Sequence, residues 1–318
     1  MTNKHFKIIL LSVLGILMSV CLYAQKDTLS FLHITDLHLM FNIQNYDQDI
    51  MQAREKKKNY KESNNTFKQF MATVPEQTGS DMIIVTGDMV DFFDAKAGQE
   101  NRFAYHVEQF ANFIKDYHYP IYLALGNHDM FSYNWNGEKV VANQLQAGRA
   151  KATWIRNFDC FRDGTYYSHV YEVESTIYRL IFLDNGFYKF KKDEGVVNPY
   201  IDKAQLHWLQ AELDASDEDV EIILMHIPFT EKSTLPESNN ELYKTLIDTP
   251  SVRLILGGHY HKQDVMWLPS PDTKQTAQVQ TGALVSGADK WRQIRLTKEN
   301  IIVSSMGSTE SELIIPVR

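Results

Sequence analysis

Apolar residues along this chain come in short unbroken runs, separated by longer stretches in which they recur every three or four positions. The runs Phe31-Leu-His-Ile, Met82-Ile-Ile-Val, Ile121-Tyr-Leu-Ala-Leu, Tyr178-Arg-Leu-Ile-Phe-Leu, Val220-Glu-Ile-Ile-Leu-Met and Val252-Arg-Leu-Ile-Leu are too short for buried helices. Several end at a glycine, so they predict buried strands. Helices are predicted between them at 65–74, 100–117 and 202–214. Alternating strand and helix means a mixed α/β class. The pattern then changes: 263–268, 276–280, 291–296 and 300–305 read as successive antiparallel strands divided by turn residues. Residues 40–65 are polar and charged, with Arg54-Glu-Lys-Lys-Lys58 in their middle. They read as a solvated loop or exposed helix, the alternative being a lid that meets an anionic substrate.

Polar groups with metal-binding chemistry stand just past these strand ends. Asp36 and His38 follow the first run, Gly87-Asp88 the second, and Gly126-Asn127-His128-Asp129 the third. His226 closes the Val220 run, and Gly258-His259-Tyr260-His261 the Val252 run. An extended segment sends residues i and i+2 to one face, which would let Asp36 and His38 reach one cation. Open α/β sheets place their sites beyond the carboxyl ends of strands. Carboxylates, imidazoles and a carboxamide suit zinc, manganese or iron, and their number has the makings of a two-metal site. D-x-H or G-D alone decides nothing. The four-residue Gly-Asn-His-Asp, in order with G-H-x-H, makes the set one site.

In this order D-x-H, G-D, G-N-H-D, H and G-H-x-H resemble the calcineurin-like metallophosphoesterase superfamily, over about residues 29–264. Tyr166-Tyr167-Ser168 and Gln205-Leu-His-Trp-Leu are weaker echoes. The resemblance implies a four-layer sandwich, two mixed sheets face to face with helices outside. It implies that Asp36, His38 and His261 hold one transition-metal ion, that Asn127, His226 and His259 hold a second, and that Asp88 bridges them. The ions would be divalent or mixed-valence zinc, manganese or iron. The implied chemistry is phosphate-ester hydrolysis, with hydroxide formed between the two ions attacking phosphorus. His128 is implied as a catalytic group, either general acid or electrostatic stabiliser, and Asp91 as the acid that orients it and keeps it protonated longer.

Two departures narrow the resemblance. Purple acid phosphatases carry a tyrosine ligand where this chain has Asp91, and the lipid-A-pathway pyrophosphatases carry arginine where it has His128. What remains is similar to phosphodiesterase-type members, including branches that act on cyclic nucleotides, glycerophosphodiesters and sphingomyelin. A phosphodiester of a small molecule or lipid headgroup is therefore the expected substrate. A phosphomonoesterase stays open, because both reactions need the same metals and differ in pocket walls. A non-catalytic metal-binding module on the same fold also stays open.

Location comes from the N-terminus. Lys4 and Lys7 precede an apolar run at 8–20, then Cys21-Leu-Tyr-Ala24-Gln25, which predicts a signal peptide over 1–24 and one domain over 25–318. The run falls short of the ~20 residues of a membrane span, so none is expected in the mature chain. Lipidation at Cys21 or an uncleaved anchor are the alternatives. With only Cys160 left after cleavage, no intrachain disulfide can form, and a bacterial periplasm or exterior is the expected compartment. With 44% hydrophobic residues the chain can bury a substantial core, and a net charge of −8 argues against nucleic acid as a partner. His33, His106, His118, His169 and His207 lie outside the motifs and read as structural or solvent-facing, with His169 the one that could border the cleft. Tyr133 and Trp135 are candidates for the substrate wall.

Overall fold

The computed structural model describes residues 27–317 apart from 59, 99–100, 192–194, 217–218, 235–239 and 270–274. The expected signal segment and its alternatives lie outside the described residues. Strands are numbered in chain order. The first sheet holds β1 (Leu29–Ile34), β2 (Met82–Thr86), β5 (Ile121–Ala124), β16 (Arg292–Leu296), β17 (Asn300–Ser304) and β18 (Ser311–Pro316), in the order β18-β17-β16-β1-β2-β5. The second holds β8 (Tyr167–Val173), β9 (Thr176–Phe182), β12 (Val220–Leu224), β13 (Val252–Gly257), β14 (Asp264–Leu268) and β15 (Thr276–Gln280), in the order β14-β15-β13-β12-β9-β8. In the second sheet β15, β13, β12 and β9 run parallel with antiparallel strands at both edges, whereas in the first β1, β2 and β5 run parallel to one edge and β16, β17 and β18 continue antiparallel to the other. A third mixed sheet, β4-β3-β6-β7, joins β3 (Asp94–Ala97), β4 (Asn101–Phe103), β6 (Ser132–Trp135) and β7 (Val140–Asn143), and β10 (Phe187–Lys191) pairs with β11 (Gly195–Tyr200) as a ribbon.

The two six-stranded sheets lie face to face, as expected, because their central strands are apolar on both sides. Every residue of β1, β2, β12 and β13 is buried. In β9, Tyr178, Leu180 and Phe182 point into the core shared with Phe31 and Ile294 of the first sheet, while Ile181 points outward. The outward face is covered by α5 (Lys203–Asp214) and α6 (Glu241–Ile247), through Leu209, Leu213 and Leu246. The core that includes the first sheet continues into α2 (Ser63–Thr78), α3 (His106–Ile114) and α4 (Ala147–Asn157), through Phe67, Phe70, Phe110 and Trp154. Tyr178 and Thr176 donate hydroxyls to the carbonyls of Thr297 and Lys298, tying sheet to sheet. No helix among the described residues is long and apolar enough to cross a membrane.

Several sequence expectations need correction. The helix expected over 100–117 is β4 followed by α3, because the apolar period begins only at His106. The helix expected to stop near residue 74 runs past Pro75 to Thr78 and closes on Gly79 (φ 60°), whose N–H reaches the carbonyls of Pro75 and Glu76. Residues 40–65 contain α1 (Gln48–Lys58), with Ile50, Met51 and Arg54 buried and Glu55, Lys56 and Lys57 exposed. That segment is therefore half core, not a solvated loop.

Candidate metal centre

The predicted ligands stand beyond the carboxyl ends of the parallel strands, but not by strand alternation. β1 ends at Ile34, and Asp36 and His38 both adopt left-handed backbone, φ 53° and 46°. Asp88, His259 and His261 do the same, at φ 53°, 71° and 57°. Only Asn42 and Glu174 join them among the described non-glycine residues, so left-handed backbone gathers at this cluster. Such backbone persists when neighbouring bonds over-determine it. Here Asp36 N–H reaches the Gly87 carbonyl at 3.0 Å, His38 N–H that of Asp88 at 2.9 Å, and Gly258 N–H that of His226 at 2.9 Å. Close approach then requires glycine. A Cβ at Gly126 would collide with Asp88, and one at Gly258 with Thr35 and Asp36.

Seven side chains converge here with their lone pairs inward. His226 Nδ1 faces the Thr86 carbonyl at 2.8 Å, and a carbonyl only accepts, so Nδ1 carries a hydrogen. Nε2 then points at Asp88 Oδ2 (3.2 Å) and Asn127 Oδ1 (3.1 Å), and His259 Nδ1 meets the same Asn127 oxygen at 3.0 Å. His38 Nδ1 donates to Asp91 Oδ1 at 3.1 Å. Its Nε2 therefore faces His261 Nε2 at 3.1 Å, Asp88 Oδ2 at 3.7 Å and Asp36 Oδ1 at 3.8 Å. Asp36 Oδ1 is buried and lies 3.2 Å from His261 Nε2, while Oδ2 is held by Thr35 and the His259 amide. Buried acceptors facing one another repel unless a cation or proton lies between them. Without a cation, a proton serves: burial lowers the pKa of His226, but Asp88 outweighs it and lifts it to about 9. Asp36, which burial alone would raise, is drawn down to about 2 by His261 and His226. Asp36 with His38 and His261, and Asp36 with Asp88 and His226, each bring three ligand atoms within 4.8 Å of one another. The donor set, with Asp36 Oδ1 and the Nε2 atoms of His38 and His261 turned toward one another, fits bound metal.

The Calcineurin-like phosphoesterase model matches residues 29–263, more than half of the chain. The chain belongs to this family. It is thus a metallophosphoesterase, and the family implies a dinuclear metal centre where the ligand groups gather. No curated protein matches the chain. Among solved structures it is similar to a dimetal phosphatase from Danio rerio, at 13% identity and TM-score 0.58, covering 91% of this chain and 99% of that one. It is also similar to GAP50, the anchor in the inner membrane complex of Plasmodium, at 16% identity and TM-score 0.53, covering 92% and 90%. The purple acid phosphatase PPD1 of yellow lupin gives 14% identity and TM-score 0.54, covering 90% of this chain and 52% of that one. At these identities the likeness is one of fold.

The phosphoesterase departs from sequence expectation at Asp91. Its carboxylate takes two bonds from Arg54, both 2.7 Å, and one from His38, but lies 3.6 Å from His128 Nδ1. His128 is instead steadied by the Asp91 backbone carbonyl at 2.8 Å and the Tyr133 hydroxyl at 3.0 Å. Nor is His128 kept protonated. Burial lowers it to about 3, against the opposing pull of Asp88 and Asp91. Burial would raise Asp91, yet Arg54 holds it far below the usual carboxylate range. One ring nitrogen of His128 also falls within 4.8 Å of ligand atoms of His38 and Asp88.

Other supports had no role assigned from the sequence, although Asp129 closes the Gly-Asn-His-Asp motif and Gln205 opens Gln-Leu-His-Trp-Leu. Asp129 accepts the amides of Gly126 (2.7 Å), Asp88 (2.9 Å) and Val90 (3.1 Å), fixing the two central loops to each other. Asn185 Oδ1 accepts the amides of His226 and Ile227, and Gln205 pins the adjoining Asp184 backbone from both sides. Tyr133 is 2% exposed, so it braces His128 and does not line an open wall. His169 lies half-buried within β8 with its ring 4.8 Å from that of Tyr122. His33 is buried between the hydroxyls of Thr281 and Thr86, His106 is buried beside Tyr46, and His118 and His207 are exposed.

Proposed function

We propose that this phosphoesterase is an exported two-metal hydrolase that prefers phosphodiesters to phosphomonoesters. Asp36, His38 and His261 would hold one ion, Asn127, His226 and His259 the other, and Asp88 would be shared between them. The carrying observation is the inward lone pairs of His38 and His226, each fixed by a hydrogen bond on its opposite nitrogen. When bound, two such ions supply Lewis acidity at the phosphate oxygens and acidify water between them. The residues do the rest. Asp88 shares its charge, and the Asp91 carbonyl orients His128 so that Nε2 is free for the substrate. That nitrogen is bare until a bound anion draws a proton to it.

Charge supports the diester. Arg54, the guanidinium that reaches this cluster, is spent on Asp91, and His128 is neutral in the free protein. A monoanionic diester asks less of such a site than a dianionic monoester does. With metal-reconstituted protein, kcat/KM for bis(p-nitrophenyl) phosphate should exceed that for p-nitrophenyl phosphate by at least about tenfold, roughly 1.4 kcal/mol in the transition state. The reverse order would make the protein a monoesterase, a reading favoured by the phosphatase names of two structural neighbours. The anchor among them shows that the fold also serves other roles, but here every predicted ligand is at the cluster.

Export rests on the basic, then apolar, N-terminal segment and Ala24. Mass spectrometry of the protein from its own host should find a chain beginning near Gln25. An intact or diacylated N-terminus would show retention at a membrane instead.

A further inference from the structure

Arg54 belongs to none of the motifs, yet its guanidinium touches a group that holds His38 and one that holds His128. It is 6% exposed, and its guanidinium lies 4.7 Å from the Tyr60 ring centre and 5.0 Å from that of Tyr133. In that slot its Nε and one Nη bond both oxygens of Asp91. Two-pronged pairing fixes the plane of a carboxylate as well as its place. The fixed oxygen, Oδ1, is the one His38 Nδ1 donates to. On its other side the same guanidinium backs Tyr133, whose hydroxyl meets His128 Nδ1.

We propose that Arg54 is a positioning residue of the metal centre, which through Asp91 fixes the ring and tautomer of His38 and through Tyr133 braces His128. This rests on the two-ion reading above. Burial alone asks only that the guanidinium's donors find acceptors, whichever groups supply them. Here the carboxylate that pairs with it and a ring packed against it are the groups that orient His38 and His128. The geometry therefore predicts a particular defect in its absence: one of two metal-binding events weakens, the one that uses His38, while the other survives.

The test is calorimetric titration of the chelator-stripped full chain with Zn²⁺, for wild type, Arg54→Lys, Arg54→Ala, Asp91→Asn and the Arg54→Ala/Asp91→Asn pair. Wild type should take two ions. Arg54→Ala should weaken one event about 10- to 100-fold, the usual scale for removing a partner that orients a ligand. Arg54→Lys, which keeps charge but not the two-pronged bond, should fall between. The double variant should be no weaker than Asp91→Asn alone, because both act through one link. Nitrogen-15 spectra of the metal-free protein should show His38 protonated at Nδ1 in wild type and as a tautomer mixture in Arg54→Ala. Thermal melts separate loss of stability from loss of affinity, and Arg54→Lys decides if Arg54→Ala does not fold. Unchanged affinities and an unchanged His38 tautomer in folded variants would overturn the assignment alone. A wild type that takes fewer than two ions would overturn the two-ion reading and this assignment with it.

Discussion

Asp88→Asn is expected to lose tight binding of the metal pair and to lower turnover on the order of 10³-fold, the scale of removing a group that stabilises transition-state charge. The reason is where the carboxylate stands. Its Oδ2 lies 3.2 Å from His226 Nε2 and 3.7 Å from His38 Nε2, between the two halves of the cluster, and its Oδ1 accepts the His128 amide at 2.8 Å. Asparagine has the same shape and can keep the amide bond through its carbonyl. What it loses is the charge that two cations would share. Its NH₂ would instead face nitrogen lone pairs, a contact that suits protons and not metals. Elemental analysis after reconstitution should find clearly fewer than two ions per chain. Two tightly held ions and normal turnover would mean that Asp88 does not bridge.

Much of this centre was legible because its strands are buried on both faces. Runs such as Met82-Ile-Ile-Val-Thr and Val252-Arg-Leu-Ile-Leu become continuous buried strands, and polar groups after them fall where the sheet ends. The third sheet was not legible for the opposite reason. β3, β4, β6 and β7 are three or four residues long, and β4 and β7 are not fully buried, so neither apolar runs nor clean alternation mark them. Left-handed backbone at Asp36 and His38 also leaves no trace in composition. It follows from loop-to-loop bonds with residues about fifty positions away. Arg54 was hidden by its neighbours. It opens the charged run Arg54-Glu-Lys-Lys-Lys58, and only its helical spacing from Ile50 and Met51 marks it as inward-facing.

The direction of the Asp91 carboxylate shows why motif order places a residue better than it assigns its bonds. The G-D-x-x-D spacing puts Asp91 beside both His38 and His128, and either could take its hydrogen bond. What decides is a guanidinium supplied from 37 residues upstream. Asp91→Asn is accordingly expected to act on metal affinity through His38, and not as a milder copy of a His128 variant.

His128→Ala, by contrast, should leave close to two ions per chain while lowering the rate about 10²- to 10⁴-fold, the range for a missing proton donor. The ring stands edge-on to His38, 4.5 Å between centroids, with Nδ1 committed to the Asp91 carbonyl and the Tyr133 hydroxyl. That commitment leaves Nε2 as the working atom. Burial holds the free ring neutral, with a pKa near about 3, so a proton on Nε2 is favourable only once a phosphate anion lies beside it. The loss should therefore depend on the alcohol that departs. Esters of p-nitrophenol leave without a proton and should be slowed least, while alkyl esters, whose alkoxide must be protonated, should be slowed most. The competing role is also written in the geometry, since His128, His38 and Asp88 offer three ligand atoms within 4.8 Å. Metal content decides between them. A His128→Ala protein that loses an ion, or that slows good and poor leaving groups alike, would make His128 a ligand or a positioning group in place of the proton donor.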